Sequence, residues 1–101
     1  MIHAVLCPNK LVLTGHAGDA PKGENLYCAA ASILVATAAA AVVDWRDEGF
    51  LEDCEICLQD GFAYIWFLPR EKQKEKLYEC FRTVIAGFGF LEKDGILETE
   101  E

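Results

Sequence analysis

Apolar and polar residues follow two different rhythms along this chain, one of period two and one near three and a half. Residues 2–6 and 11–14 are short aliphatic and β-branched runs parted by Pro8, Asn9 and Lys10, which predicts a β-hairpin with a turn at that triplet. Residues 15–25 follow without hydrophobic periodicity. Their three glycines, one proline and several polar groups predict a surface loop, able to act as a lid. Residues 28–43 are then apolar almost throughout, and eight of them are alanine. Alanine favours helix and lets a neighbouring backbone come close; Asn25 is a candidate cap at the start, and Asp44 and Gly49 mark the exit. Residues 51–58 and 62–68 predict a second hairpin, joined by Gln59, Asp60 and Gly61 and closed by Pro69. Beyond it Leu77, Phe81, Val84, Ile85 and Phe88 recur at helical spacing, with Lys72, Lys74, Glu75 and Glu79 on the opposite side. This predicts an amphipathic helix fraying at Gly87 and Gly89. The tail, with Glu98, Glu100 and Glu101, is expected to be solvated apart from a short extended piece near Ile96 and Leu97.

The order β-β-α-β-β-α predicts a single α+β domain over residues 1–101: two layers, a four-stranded antiparallel sheet and two helices. Strand four offers Phe62, Tyr64, Trp66 and Leu68 to one face and Ala63, Ile65 and Phe67 to the other. Two helices cover only part of such a sheet, so the remaining apolar surface is expected to meet a second subunit in a symmetric homodimer. The apolar stretch 28–43 falls short of the roughly twenty residues that cross a bilayer, which predicts a buried helix and no membrane partner.

With 101 residues and 52% hydrophobic content, the chain can build one core and is too short for two domains. Its net charge of -8 argues against a protein that grips nucleic acid by neutralising phosphates, and favours a basic partner. Five cysteines, at 7, 28, 54, 57 and 80, are odd in number and irregular in spacing, and no leader pattern precedes them; a reducing cytoplasm is expected. Cys54 and Cys57 have metal-site spacing but lie on a predicted strand, where residues three apart point to opposite faces. With no second pair and no histidine near, core packing is the reading for them, as for Cys7 and Cys80. Residues 18–23 are glycine-rich before a helix, but lack the Lys and Ser or Thr of a phosphate loop.

Two residues remain whose types and spacing carry chemistry. His16 and Cys28 lie twelve positions apart, the first opening the glycine-rich segment and the second standing where the long helix is predicted to begin. A thiolate at a helix N-terminus beside an imidazole can have its pKa lowered from about 8.5 to roughly 3.5–7.5. In such a dyad the ring takes the thiol proton, the sulfur attacks a carbonyl, and backbone amides, here around Ala29 and Ala30, hold the oxyanion. No cofactor is required. Asn25 or Asp19 could orient the ring. Ser32, one turn beyond Cys28 on the same helix face, either supports the thiol or bonds back to its own helix.

The run Gly15-His16-Ala17, the glycine-rich loop and Cys28-Ala29-Ala30-Ala31-Ser32 resemble the ribosomal-processing cysteine protease (Prp, YsxB-like) family. That resemblance implies a dimeric endopeptidase, with Cys28 as nucleophile and His16 as base, that removes an N-terminal extension from large-subunit ribosomal protein twenty-seven. The cut would fall after aromatic residues, for which Tyr64, Trp66 and Phe67 are candidate slot residues. The family usually carries Asp three residues before the cysteine, where this chain has Asn25; Asn can orient an imidazole but adds no charge to stabilise imidazolium. The alternative is a non-catalytic ribosome-assembly dimer that binds the same basic tail.

Overall fold

The computed structural model describes residues 2–15, 26–93 and 97–100. Strands β1 (Ile2–Cys7) and β2 (Lys10–Gly15) form the first hairpin, helix α1 spans Leu26–Asp47, and β3 (Leu51–Gln59) and β4 (Phe62–Pro69) form the second hairpin. A 3-10 turn at Glu71–Gln73 leads into helix α2 (Lys74–Lys93), and β5 (Leu97–Glu100) ends the described chain. The sheet order is β3-β4-β2-β1-β5. The four strands expected from sequence pair antiparallel; β5 adds to the expected sheet by pairing parallel to β1, Ile2 opposite Leu97. The acidic tail is therefore a sheet edge rather than a wholly solvated end.

Alternation along the strands sends one set of residues to the helices. Ile2, Ala4, Leu11, Leu13, Ala63, Ile65 and Phe67 are buried, and they meet Ala38 and Val42 of α1 and Leu77, Phe81 and Phe88 of α2 in one core. Phe67 is its hub: fully buried, it has its ring centroid 5.3 Å from Trp45, 5.1 Å from Phe81 and 6.1 Å from Tyr78, in tilted and edge-on geometries that aromatic quadrupoles favour. Its backbone is held as firmly. The Phe67 N–H donates to the Asn9 carbonyl at 3.1 Å and the Asn9 side-chain amide donates to the Phe67 carbonyl at 2.9 Å, so the turn of the first hairpin is clamped to the second.

Helix α1 is longer than the apolar pattern suggested, because Leu26 and Tyr27 join its start and Asp44 to Asp47 its end. It stops in a Schellman arrangement. The Phe50 N–H reaches the Trp45 carbonyl, the Gly49 N–H reaches that of Arg46, and Gly49 takes the left-handed backbone (φ 80) this requires. At 22 residues it is long and apolar enough to cross a membrane by length and composition, which overturns the length argument drawn from residues 28–43. Only 22% of the apolar segment within Ala29–Asp47 is buried in this chain, and Ile33 is 66% exposed. Helix α2 likewise runs through Gly87 and Gly89 instead of fraying there. Gly87 is where the helices touch: a Cβ at that position would stand 2.7 Å from Leu34 Cδ2, so its missing side chain sets the helix separation.

Because Phe67 joins both helices to the sheet, Phe67→Ala should destabilise the fold by about 3–5 kcal/mol. Urea unfolding followed by circular dichroism checks this, with an unchanged midpoint excluding the hub role.

Candidate active site

Three element ends converge at one end of the sheet, beside α1. The end of β2 carries Gly15, whose positive φ (100) ends the strand and whose N–H donates to the Gly61 carbonyl at 3.0 Å. That bond ties β2 to the β3–β4 turn, where Gly61 also has positive φ (75). Between these ends and the second and third turns of α1 lies an open cleft of about 390 Å³. Its walls are Ala31, Ser32, Val35 and Ala36 of α1, Ile2 and Leu13 of the sheet, Gly15, and the hairpin tip from Leu58 through Asp60 to Ala63. Most of this lining is apolar, with Ser32, Gln59 and Asp60 as its polar side chains, which suits an apolar side chain held beside a polar main chain.

Of the residues singled out in the sequence, Ser32 lines the cleft. Cys28 lies in the opening turn of α1, one turn before Ser32 on the same stripe of the helix. His16, Asp19 and Asn25 lie outside the described residues, as does the expected lid beyond Gly15, residues 16–25. His16 directly follows Gly15, so the point from which it departs is fixed by the Gly61 bond. The earlier helix start also moves the amides that lack an intrahelical acceptor toward Cys28 and the two residues before it, upstream of the expected Ala29 and Ala30.

The aromatic residues suggested as a slot stand elsewhere. Phe67 is consumed by the core, while Tyr64 and Trp66 lie on the sheet face turned away from the helices. The cleft instead uses Leu58, 50% exposed, and Phe62, 36% exposed, which flank the polar turn. Two large apolar residues bracketing Gln59, Asp60 and Gly61 were the sequence signal for this wall; only the Gly15 to Gly61 contact makes it part of the site. Cys54 and Cys57 oppose Phe67 and Tyr64, and so sit on opposite faces.

Residues 1–95 match the family model described as cysteine protease Prp. Two solved structures of the essential ribosomal processing protease Prp from S. aureus are similar to this chain. One, with a covalently linked product peptide, has a TM-score of 0.69 at 16% identity; the other, with a substrate peptide, 0.65 at 14%; each match covers 98% of this chain and 95% of that one. SMU.848 from Streptococcus mutans is similar with a TM-score of 0.59 at 26% identity, over 99% of this chain and 92% of that one. No curated protein matches.

Ala36 is exposed and lines the cleft without belonging to the core, so Ala36→Phe should fill it and leave the unfolding midpoint unchanged. Peptide hydrolysis by that variant should fall roughly tenfold or more in kcat/KM; full activity would mean that substrate does not enter this cleft.

Proposed function

Since the chain belongs to the Prp cysteine protease family and is a cysteine protease, we propose that Cys28 is its nucleophile and His16 its base, and that it processes a ribosomal protein. The observation that carries this reading is the cleft bounded by Gly15, the residue before His16, and by the turn of α1 that follows Cys28. The imidazole removes the thiol proton and the sulfur attacks the scissile carbonyl carbon, whose oxygen becomes an oxyanion facing the amides of the opening turn of α1. Collapse expels the amine, which takes its proton from the imidazolium. The same ring then deprotonates a water that attacks the thioester, releasing the acid and restoring the thiol. Asn25 or Asp19 orients the ring in this scheme; if Asn25 does, the pair lacks the charge that an aspartate would give.

The substrate we propose is the N-terminal extension of large-subunit ribosomal protein twenty-seven, cut after aromatic residues that occupy the apolar cleft. The S. aureus structures, in which a ribosomal processing protease is in complex with a substrate peptide or a covalently linked product peptide, support a peptide of this kind. A net charge of -8 supports a basic ribosomal-protein tail and gives no support to a nucleic-acid partner. The protein acts in the cytoplasm as a homodimer. The sheet face away from the helices supports the dimer, because Val5, Val12, Tyr64 and Trp66 are only partly covered there and Leu68 is 43% exposed.

Incubation with the precursor ribosomal protein should give cleavage that is lost in both Cys28→Ala and His16→Ala, with the first still binding the uncut precursor. Binding without cleavage by the unaltered protein would instead favour the assembly dimer. Tyr64→Glu with Trp66→Glu should convert the dimer to monomer in light scattering, and a dimer that persists would locate the interface elsewhere.

A further inference from the structure

We propose that the free edge of β3 is a docking strand for the part of the substrate that follows the scissile bond. A basic, extended segment pairs antiparallel to β3 as it leaves the cleft. This rests on the peptidase reading above.

Among the described residues β3 is the outermost strand on its side of the sheet. Which of its groups face outward follows from Phe67, opposite Cys54. Both main-chain groups of Phe67 are turned to Asn9, on the β2 side. In an antiparallel ladder, a pair whose one member bonds the other way exchanges no hydrogen bonds, so Cys54 turns its N–H and C=O to the open edge. Its N–H is there taken by the Asp53 carboxylate at 2.8 Å. By the two-residue period Ile56 and Leu58 face the same way, and among the described residues neither N–H has a side-chain cap like that of Cys54. Leu58 lines the cleft, so this row of donors and acceptors starts at the cleft and runs toward Leu51.

Native sheets usually blunt such an edge with Lys or Pro. Residues 54–59 contain neither. The exposed charged side chains along the strand are acidic instead: Glu52, shared with Arg70 at 2.8 Å, then Asp53 and Glu55. A second copy of β3 paired here would bring these carboxylates together, whereas a Lys- and Arg-rich segment would meet opposite charge. Direction discriminates further. β3 runs toward the cleft, so an antiparallel peptide with its scissile bond in the cleft lays the residues that follow that bond along the strand, beside its carboxylates.

The test compares two peptides cut at the same bond, one keeping the basic segment after it and one truncated just past it. Glu55→Lys should raise KM for the long peptide about tenfold at low ionic strength, with kcat unchanged and the short peptide unaffected. Ile56→Pro, with its fold checked by circular dichroism, should do likewise by removing an edge N–H. Equal effects on both peptides, or none on either, would overturn the proposal. Should the unaltered protein cut neither peptide, the peptidase reading has failed, and docking is still decided by titrating the labelled basic segment alone. Slowed amide exchange at Ile56 and Leu58, with binding weakened by Glu55→Lys, supports the edge; unchanged exchange there sinks it.

Discussion

The clamp between Asn9 and Phe67 is the constraint on which the remaining architecture rests. One side chain supplies the centre of the core, while its own peptide groups are bound by the turn of a hairpin more than fifty residues earlier. Burying an aromatic ring there is favourable, and the two hydrogen bonds keep the adjoining polar groups satisfied as the ring goes in. Both hairpins are thereby held in one register, and both helices pack against the same ring through Trp45, Tyr78 and Phe81. The end of the sheet opposite this clamp carries the β3–β4 turn.

That remaining end is where the cleft forms. The end of β2 and the β3–β4 turn meet through a single main-chain bond between two glycines that both use positive φ, and α1 passes beside them. Strand pairing of β2 with β4, Thr14 opposite Phe62, brings the two hairpins level there. The walls of the cleft are therefore element ends whose positions are fixed by the sheet.

Much of this was legible in the residues. Alternation gave both hairpins, because strands buried on one face write a period of two into the sequence, and Asp60-Gly61 marked its turn. The ends of helices were less legible. Gly87 reads as a breaker until Leu34 is seen packed against it, a contact between helices that no local pattern records. The ends of α1, Leu26 with Tyr27 and Asp44 to Asp47, lie beyond the apolar run that marked the helix. Of the site, the nearness of Cys28 to Ser32 followed from helix periodicity, whereas the hairpin wall of Leu58 and Phe62 depends on sheet order, which single-strand patterns do not encode.

The sparse burial of α1 has a consequence for how stability should be understood. A helix with Ile33, Ala29, Ala36 and Ala40 turned to water contributes less to the lone chain than its composition allows. Whatever covers that stripe, bound to the folded form and absent from the unfolded one, adds free energy that grows with the logarithm of its concentration. Were a second copy of the chain to cover it, folding strength would be a property of dilution as well as of sequence, and heat resistance measured in a test tube at one concentration would not transfer to another.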